Sequence, residues 1–79
     1  MAATIDEKKA MLGLNICYYR KARSMTQIEL AEQLEITSNY LSQVERGSKI
    51  LSVDKIIMAA EILGVDEKSL WDFSRKHGL

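Results

Sequence analysis

Apolar residues recur along this chain at intervals of three and four, the spacing of one helix face, and no stretch shows the alternation that marks a strand. Leu12, Ile16 and Tyr19 open the pattern and predict a first helix starting at Glu7 or Ala10 and ending at Ala22. Leu30, Ala31 and Leu34 form the inward face of a second. It begins at Thr26, where Thr26-Gln27-Ile28-Glu29 reads as a capping box: the Thr26 hydroxyl accepts from the Glu29 amide and the Glu29 carboxylate reaches back. A third helix follows the N-cap Thr37 and runs to Arg46, with Gly47 suited to the left-handed position after a helix end. A fourth starts after Ser52 and stops before Gly64, with Val53, Ile56, Ala60 and Leu63 as its core stripe. A fifth follows Asp66 and carries Leu70, Trp71 and Phe73.

The glycines at 13, 47, 64 and 78 read as punctuation, and every connection is short. The expectation is an all-α fold, a compact five-helix bundle. Residues 1–9 form an N-terminal arm or an extension of the first helix, and residues 10–79 form the domain.

The third helix has two faces. At about 100° per residue from Ser38, the apolar Tyr40, Leu41 and Val44 fall near roughly 200–300°. Ser38, Asn39, Ser42, Gln43 and Arg46 fall near roughly 0–140°. The first set packs the helix down and leaves the second free. An ordinary solvated face is richer in Glu and Lys. Acidic groups would be repelled by phosphates, whereas Asn or Gln can bond adenine at two points and Ser can donate or accept.

Residues 26–47, TQIELAEQLEITSNYLSQVERG, resemble the helix-turn-helix of the Cro/CI-type repressor family (phage lambda repressor-like, XRE-type), and the resemblance runs from Leu12 to Leu70. It implies a lambda-repressor-like bundle and a sequence-specific DNA-binding transcriptional regulator. The expected action is that of a repressor, bound as a homodimer to a pseudo-palindromic operator on double-stranded DNA. Ser38, Asn39, Ser42 and Gln43 are then the base-reading candidates. Gln27, in the first turn of helix two, matches a family phosphate contact; Arg46, Lys49 and Arg23 are further backbone-contact candidates. Arg20 and Glu45 match a family ion pair. Ala31 matches the small residue needed where the two helices cross, and Ile36 plugs the core from the turn.

Two positions depart from the family pattern. Glu35 stands where members usually have glycine, a place that favours a left-handed backbone. Met58 stands where they are more polar; with Ile62, Trp71 and Phe73 it makes a candidate dimer surface, with room for a protein partner. TSNYLSQVERG followed by SKILS is also similar to controller proteins of restriction–modification systems, and an antitoxin of the same family is a further alternative.

Net charge changes the picture in one respect: it is zero, whereas many DNA-binding domains are basic. The distribution matters more than the sum. Arg20, Lys21, Arg23, Arg46, Lys49 and Lys55 fall near the motif or its flanks, and Glu29, Glu32, Glu61, Asp66 and Glu67 fall on segments expected to lie away from the polar face of the third helix. Neutrality keeps a second class open, a protein–protein interaction module that reads no DNA.

Enzyme chemistry finds no support: there is no catalytic triad, paired-carboxylate or phosphate-loop pattern, so no catalytic residue and no cofactor is expected. Cys17 and His77 are too few and too distant for a metal site, and Cys17 reads as a core or boundary residue. Tyr18 is a surface aromatic or a phosphate contact. With no apolar run of membrane length, no leader pattern and a single cysteine, the expectation is a cytoplasmic protein without membrane contact.

Overall fold

The computed structural model describes residues 4–74. Five helices follow in order: α1 (Ile5–Ala22), α2 (Gln27–Leu34), α3 (Ser38–Glu45), α4 (Val53–Leu63) and α5 (Glu67–Leu70). Among the described residues there is no strand. The bundle is all-α, in agreement with the helical spacing of the apolar residues. His77 and Gly78 lie outside the described residues.

Helix α1 begins earlier than expected. Thr4 and Glu7 form a capping box: the Glu7 amide donates to Thr4 Oγ1 at 3.1 Å and the Thr4 amide to Glu7 Oε1 at 2.9 Å. The Thr4 amide foremost, and then the Thr4 hydroxyl, hold the Glu7 carboxyl below its ordinary value. Residues 5–9, read as an arm or an extension, are therefore the first turns of α1. The Thr-x-x-Glu signal was present in the sequence, but the turns it opens add nothing to the core: Ile5, seven residues before Leu12, is exposed. Thr26, Thr37 and Ser52 cap α2, α3 and α4 through their side-chain oxygens, whereas Asp66 makes no side-chain cap bond.

Helices α1 to α4 end alike. A residue in the left-handed region follows each, namely Ser24, Glu35, Gly47 and Gly64, with φ of 55°, 59°, 84° and 69°. The next amide then reaches back to a carbonyl five residues earlier, as from Ile36 to Ala31 at 3.0 Å and Val65 to Ala60 at 3.0 Å. The turn between α2 and α3 thus keeps the geometry that favours glycine, and Glu35 adopts it.

The core joins Leu12 and Ile16 of α1 to Leu30, Ala31 and Leu34 of α2 and Leu41 and Val44 of α3. Leu51, Ile56, Ala59, Ala60, Leu63 and Leu70 complete it, and Tyr19 and Ile36 pack against its edge. Helix α3 packs on α1 and α2, α4 on α2, α1 and α5, and α5 on α1.

Four expectations are corrected here. Val53, the first residue of α4, is 72% exposed and faces away from the core that Leu51 already enters; Ala59 takes its place in the stripe. Met58 and Ile62 do not project freely; they are half-buried against the core, because α4 has neighbours on several sides. Helix α5 stops at Leu70, so Trp71 and Phe73 lie beyond it. Gly13, read as punctuation, is instead a buried residue within α1.

Candidate nucleic-acid interface

Helix α3 is anchored from below and bare above. Leu41 and Val44 are fully buried, while Ser38, Asn39 and Arg46 are exposed and Ser42 and Gln43 half-buried on the other side. The four candidate base readers therefore share one accessible face, with no carboxylate among them. Thr37 accepts from the Tyr40 amide at 3.0 Å and so starts the helix beside Ser38.

The loop after α3 is strapped to that helix. The Gln43 carbonyl accepts from the Ser48 amide at 3.0 Å, the Lys49 amide at 3.3 Å and the Ser48 hydroxyl at 3.1 Å. The Tyr40 hydroxyl donates to the Ile50 carbonyl at 2.7 Å. These bonds hold exposed Lys49 close to the C-terminal end of the bare face, beside exposed Arg46. The Tyr40 latch was not legible from the sequence, because Tyr40 belongs by periodicity to the apolar side.

Beneath the face, Arg20 and Glu45 form a two-point ion pair. Arg20 Nε donates to Glu45 Oε2 at 2.7 Å and Arg20 Nη2 to Glu45 Oε1 at 3.0 Å. Both residues are buried. The bond to Glu45 raises the Arg20 guanidinium above its ordinary value against the opposing effect of burial. Arg20 Nη1 also donates to the Met25 carbonyl at 2.7 Å, and Nη2 lies 3.6 Å from Cys17 Sγ. The half-buried Cys17 is thus a boundary residue beside the pair.

Two expected backbone-contact residues have partners within the fold. Gln27 Nε2 donates to Glu45 Oε1 at 2.9 Å, which joins the start of α2 to the ion pair. Arg23 reaches the Gly64 carbonyl at 3.5 Å and so leans toward the end of α4, apart from Arg46 and Lys49. Lys55 lies 3.7 Å from Glu35. Tyr18 is exposed and meets Tyr19 edge-on at 5.1 Å.

The candidate dimer surface is only partly exposed. Trp71 is 40% exposed and stacks edge-on with half-buried Phe73 at 6.2 Å, while Met58 and Ile62 pack inward. Exposed Val53 and Ile57 give α4 a different apolar edge. Sequence reasoning also missed Asn15, which is buried and donates to the Leu70 and Asp72 carbonyls at 2.9 and 3.0 Å. Its position between Leu12, Ile16 and Tyr19 was the available signal, since a polar residue inside an apolar stripe needs buried partners.

Among the described residues no group of three or more His, Cys, Asp and Glu could hold a metal ion, and no helix is long and apolar enough to cross a membrane.

Comparison with known proteins places this geometry. A helix-turn-helix family model matches residues 18–70. The chain is 33% identical over 67 residues to the control protein C.BamHI of Bacillus amyloliquefaciens, covering 84% of this chain and 83% of that protein. The crystal structure of the restriction–modification controller protein C.AhdI from Aeromonas hydrophila is similar at a TM-score of 0.75 and 25% identity, over 81% of this chain and 97% of that one. That of the clp gene regulator ClgR from Corynebacterium glutamicum is similar at 0.75 and 29% identity, over 78% and 66%.

Proposed function

The chain belongs to the helix-turn-helix family of the Cro/CI type, and on that premise we propose that it is a sequence-specific DNA-binding transcriptional regulator and not an enzyme. It acts as a repressor: a homodimer on a pseudo-palindromic operator in the cytoplasm, blocking polymerase by occupying its site. Residues 26–47 are the reading motif, carried by a domain that includes residues 10–74. One observation carries the reading, the accessible and carboxylate-free face of Ser38, Asn39, Ser42 and Gln43 opposite the buried Leu41 and Val44.

Within this reading, Ser38, Asn39, Ser42 and Gln43 meet base edges, and Gln27, Arg46 and Lys49 meet phosphates. Arg23 is a weaker phosphate candidate because of its bond to the Gly64 carbonyl. The homodimer places two copies of α3 about one helical turn of DNA apart, roughly 34 Å. Trp71 and Phe73 are the part of the expected dimer surface that remains available to a partner.

A narrower reading, a controller-type regulator, is supported by the likeness to C.BamHI and C.AhdI. A protein–protein interaction module is the reading from another class, favoured by the zero net charge.

Salt dependence separates the classes. Titration with duplex DNA from low to near-physiological salt should show affinity falling steeply, with a slope of about −0.9 per phosphate neutralised. Absence of binding to any duplex at low salt, from a folded sample, would favour the interaction module.

A further inference from the structure

Three helices meet at one carboxylate. Glu45 on α3 accepts from Arg20 on α1 through both oxygens, and Oε1 also accepts from Gln27 Nε2 on α2 at 2.9 Å. From this we infer that Glu45 is a positioning residue: it aims the Gln27 amide, so that the reading helix sets the direction of a DNA-backbone contact made from another helix. The inference rests on the reading of Gln27 as a phosphate contact.

A carboxylate only accepts hydrogen bonds, so the nitrogen end of the Gln27 amide must face Glu45. That settles which end of the amide points where. One Nε2 hydrogen is used by Glu45, and the second, about 120° away in the amide plane, remains for an outside acceptor. Phosphate, too, only accepts. A glutamine without this tether is free to turn end for end, and with its carbonyl outward it makes no bond to phosphate. It also loses more rotamer freedom on binding. The tether removes both costs before DNA arrives.

Arg20 makes the arrangement tolerable to an anion. Glu45 alone would repel a nearby phosphate; held at two points by a guanidinium, its charge is cancelled locally. The same guanidinium donates to the Met25 carbonyl, one residue before the cap of α2. The start of α2 is thereby fixed to α1 and α3 from the main chain as well as through Gln27. The backbone contact and the base-reading face then move as one unit.

The test is a coupling measurement on random-sequence duplex at low salt, where phosphate contacts dominate. In the unmodified chain, Gln27→Ala should weaken binding about tenfold, as for loss of a hydrogen bond to a charged group. The same substitution is then made in an Arg20→Met/Glu45→Leu background, an apolar replacement chosen to keep the fold. There it should cost less than about threefold, because an untethered amide contributes little. An equal loss in both backgrounds would overturn the inference and leave Gln27 a phosphate contact. No loss in the unmodified chain would remove the contact itself and the inference with it.

A second measurement needs no variant, should the apolar pair fail to fold. In the free protein, one Gln27 side-chain amide proton should exchange slowly and the other fast, and added duplex should shift the fast one. Two protons that exchange equally fast, like those of exposed Gln33, would overturn the inference.

Discussion

Gly13 on α1 and Val44 on α3 meet backbone to backbone: a Cβ added at Gly13 would overlap the Val44 carbonyl oxygen and come within 2.8 Å of the Glu45 carbonyl oxygen. This crossing seats α3 on α1 and brings Glu45 over Arg20. Gly13→Ala should therefore destabilise the fold by about 1–3 kcal/mol, because rigid backbone stands in the way and cannot rotate aside. In thermal unfolding, each kcal/mol lowers Tm by roughly 4–8 °C for a domain of this size. An unchanged Tm would mean that the two helices are not this close.

Glu35 occupies a left-handed position at φ 59° that glycine would fill without strain. An L-residue pays about 1–2 kcal/mol there, while glycine gives back about 0.5–1 in chain entropy. Glu35→Gly should stabilise the protein by about 0.5–1 kcal/mol in denaturant unfolding. The Lys55 contact at 3.7 Å involves an exposed Glu35 side chain, and its loss offsets little. Destabilisation on this substitution would contradict the left-handed assignment.

Arg20→Ala leaves the Glu45 carboxylate buried with Gln27 Nε2 as its remaining side-chain donor. The expected loss is about 3–5 kcal/mol, the usual consequence of orphaning a buried charge. Replacing both partners, as in Arg20→Met/Glu45→Leu, should recover much of it in the same unfolding assay. A small effect of Arg20→Ala alone would place the pair in solvent.

Asn39→Ala and Gln43→Ala remove the two amide side chains from the bare face of α3 without touching the core. Each should reduce discrimination between operator and random DNA by about 1–3 kcal/mol while leaving Tm within error. Competition binding measures this. Weakening of all sequences alike would make these residues backbone contacts.

Most of the fold was legible because periodicity and caps agreed. Thr26, Thr37 and Ser52 announced three helix starts, Gly47 and Gly64 two ends, and the spacing of Leu30, Leu34, Leu41 and Leu63 named the core. Gly13 was misread because a glycine gives the same letter whether it ends a helix or admits a neighbouring backbone. Met58 and Ile62 were misplaced because one apolar face does not reveal how many neighbours a helix has. On the interface, the polar face of α3 followed from spacing alone. The bonds from Gln27 to Glu45, Tyr40 to Ile50 and Asn15 to Leu70 join segments 18, 10 and 55 residues apart, and no local pattern encodes them.

The central claim is that the outer face of α3 reads DNA sequence, and selection of bound molecules from a random duplex pool at near-physiological salt tests it most directly. The expected result is enrichment of an inverted repeat with half-sites about one helical turn, or about 10–10.5 base pairs, apart. A folded sample that enriches no sequence would contradict it.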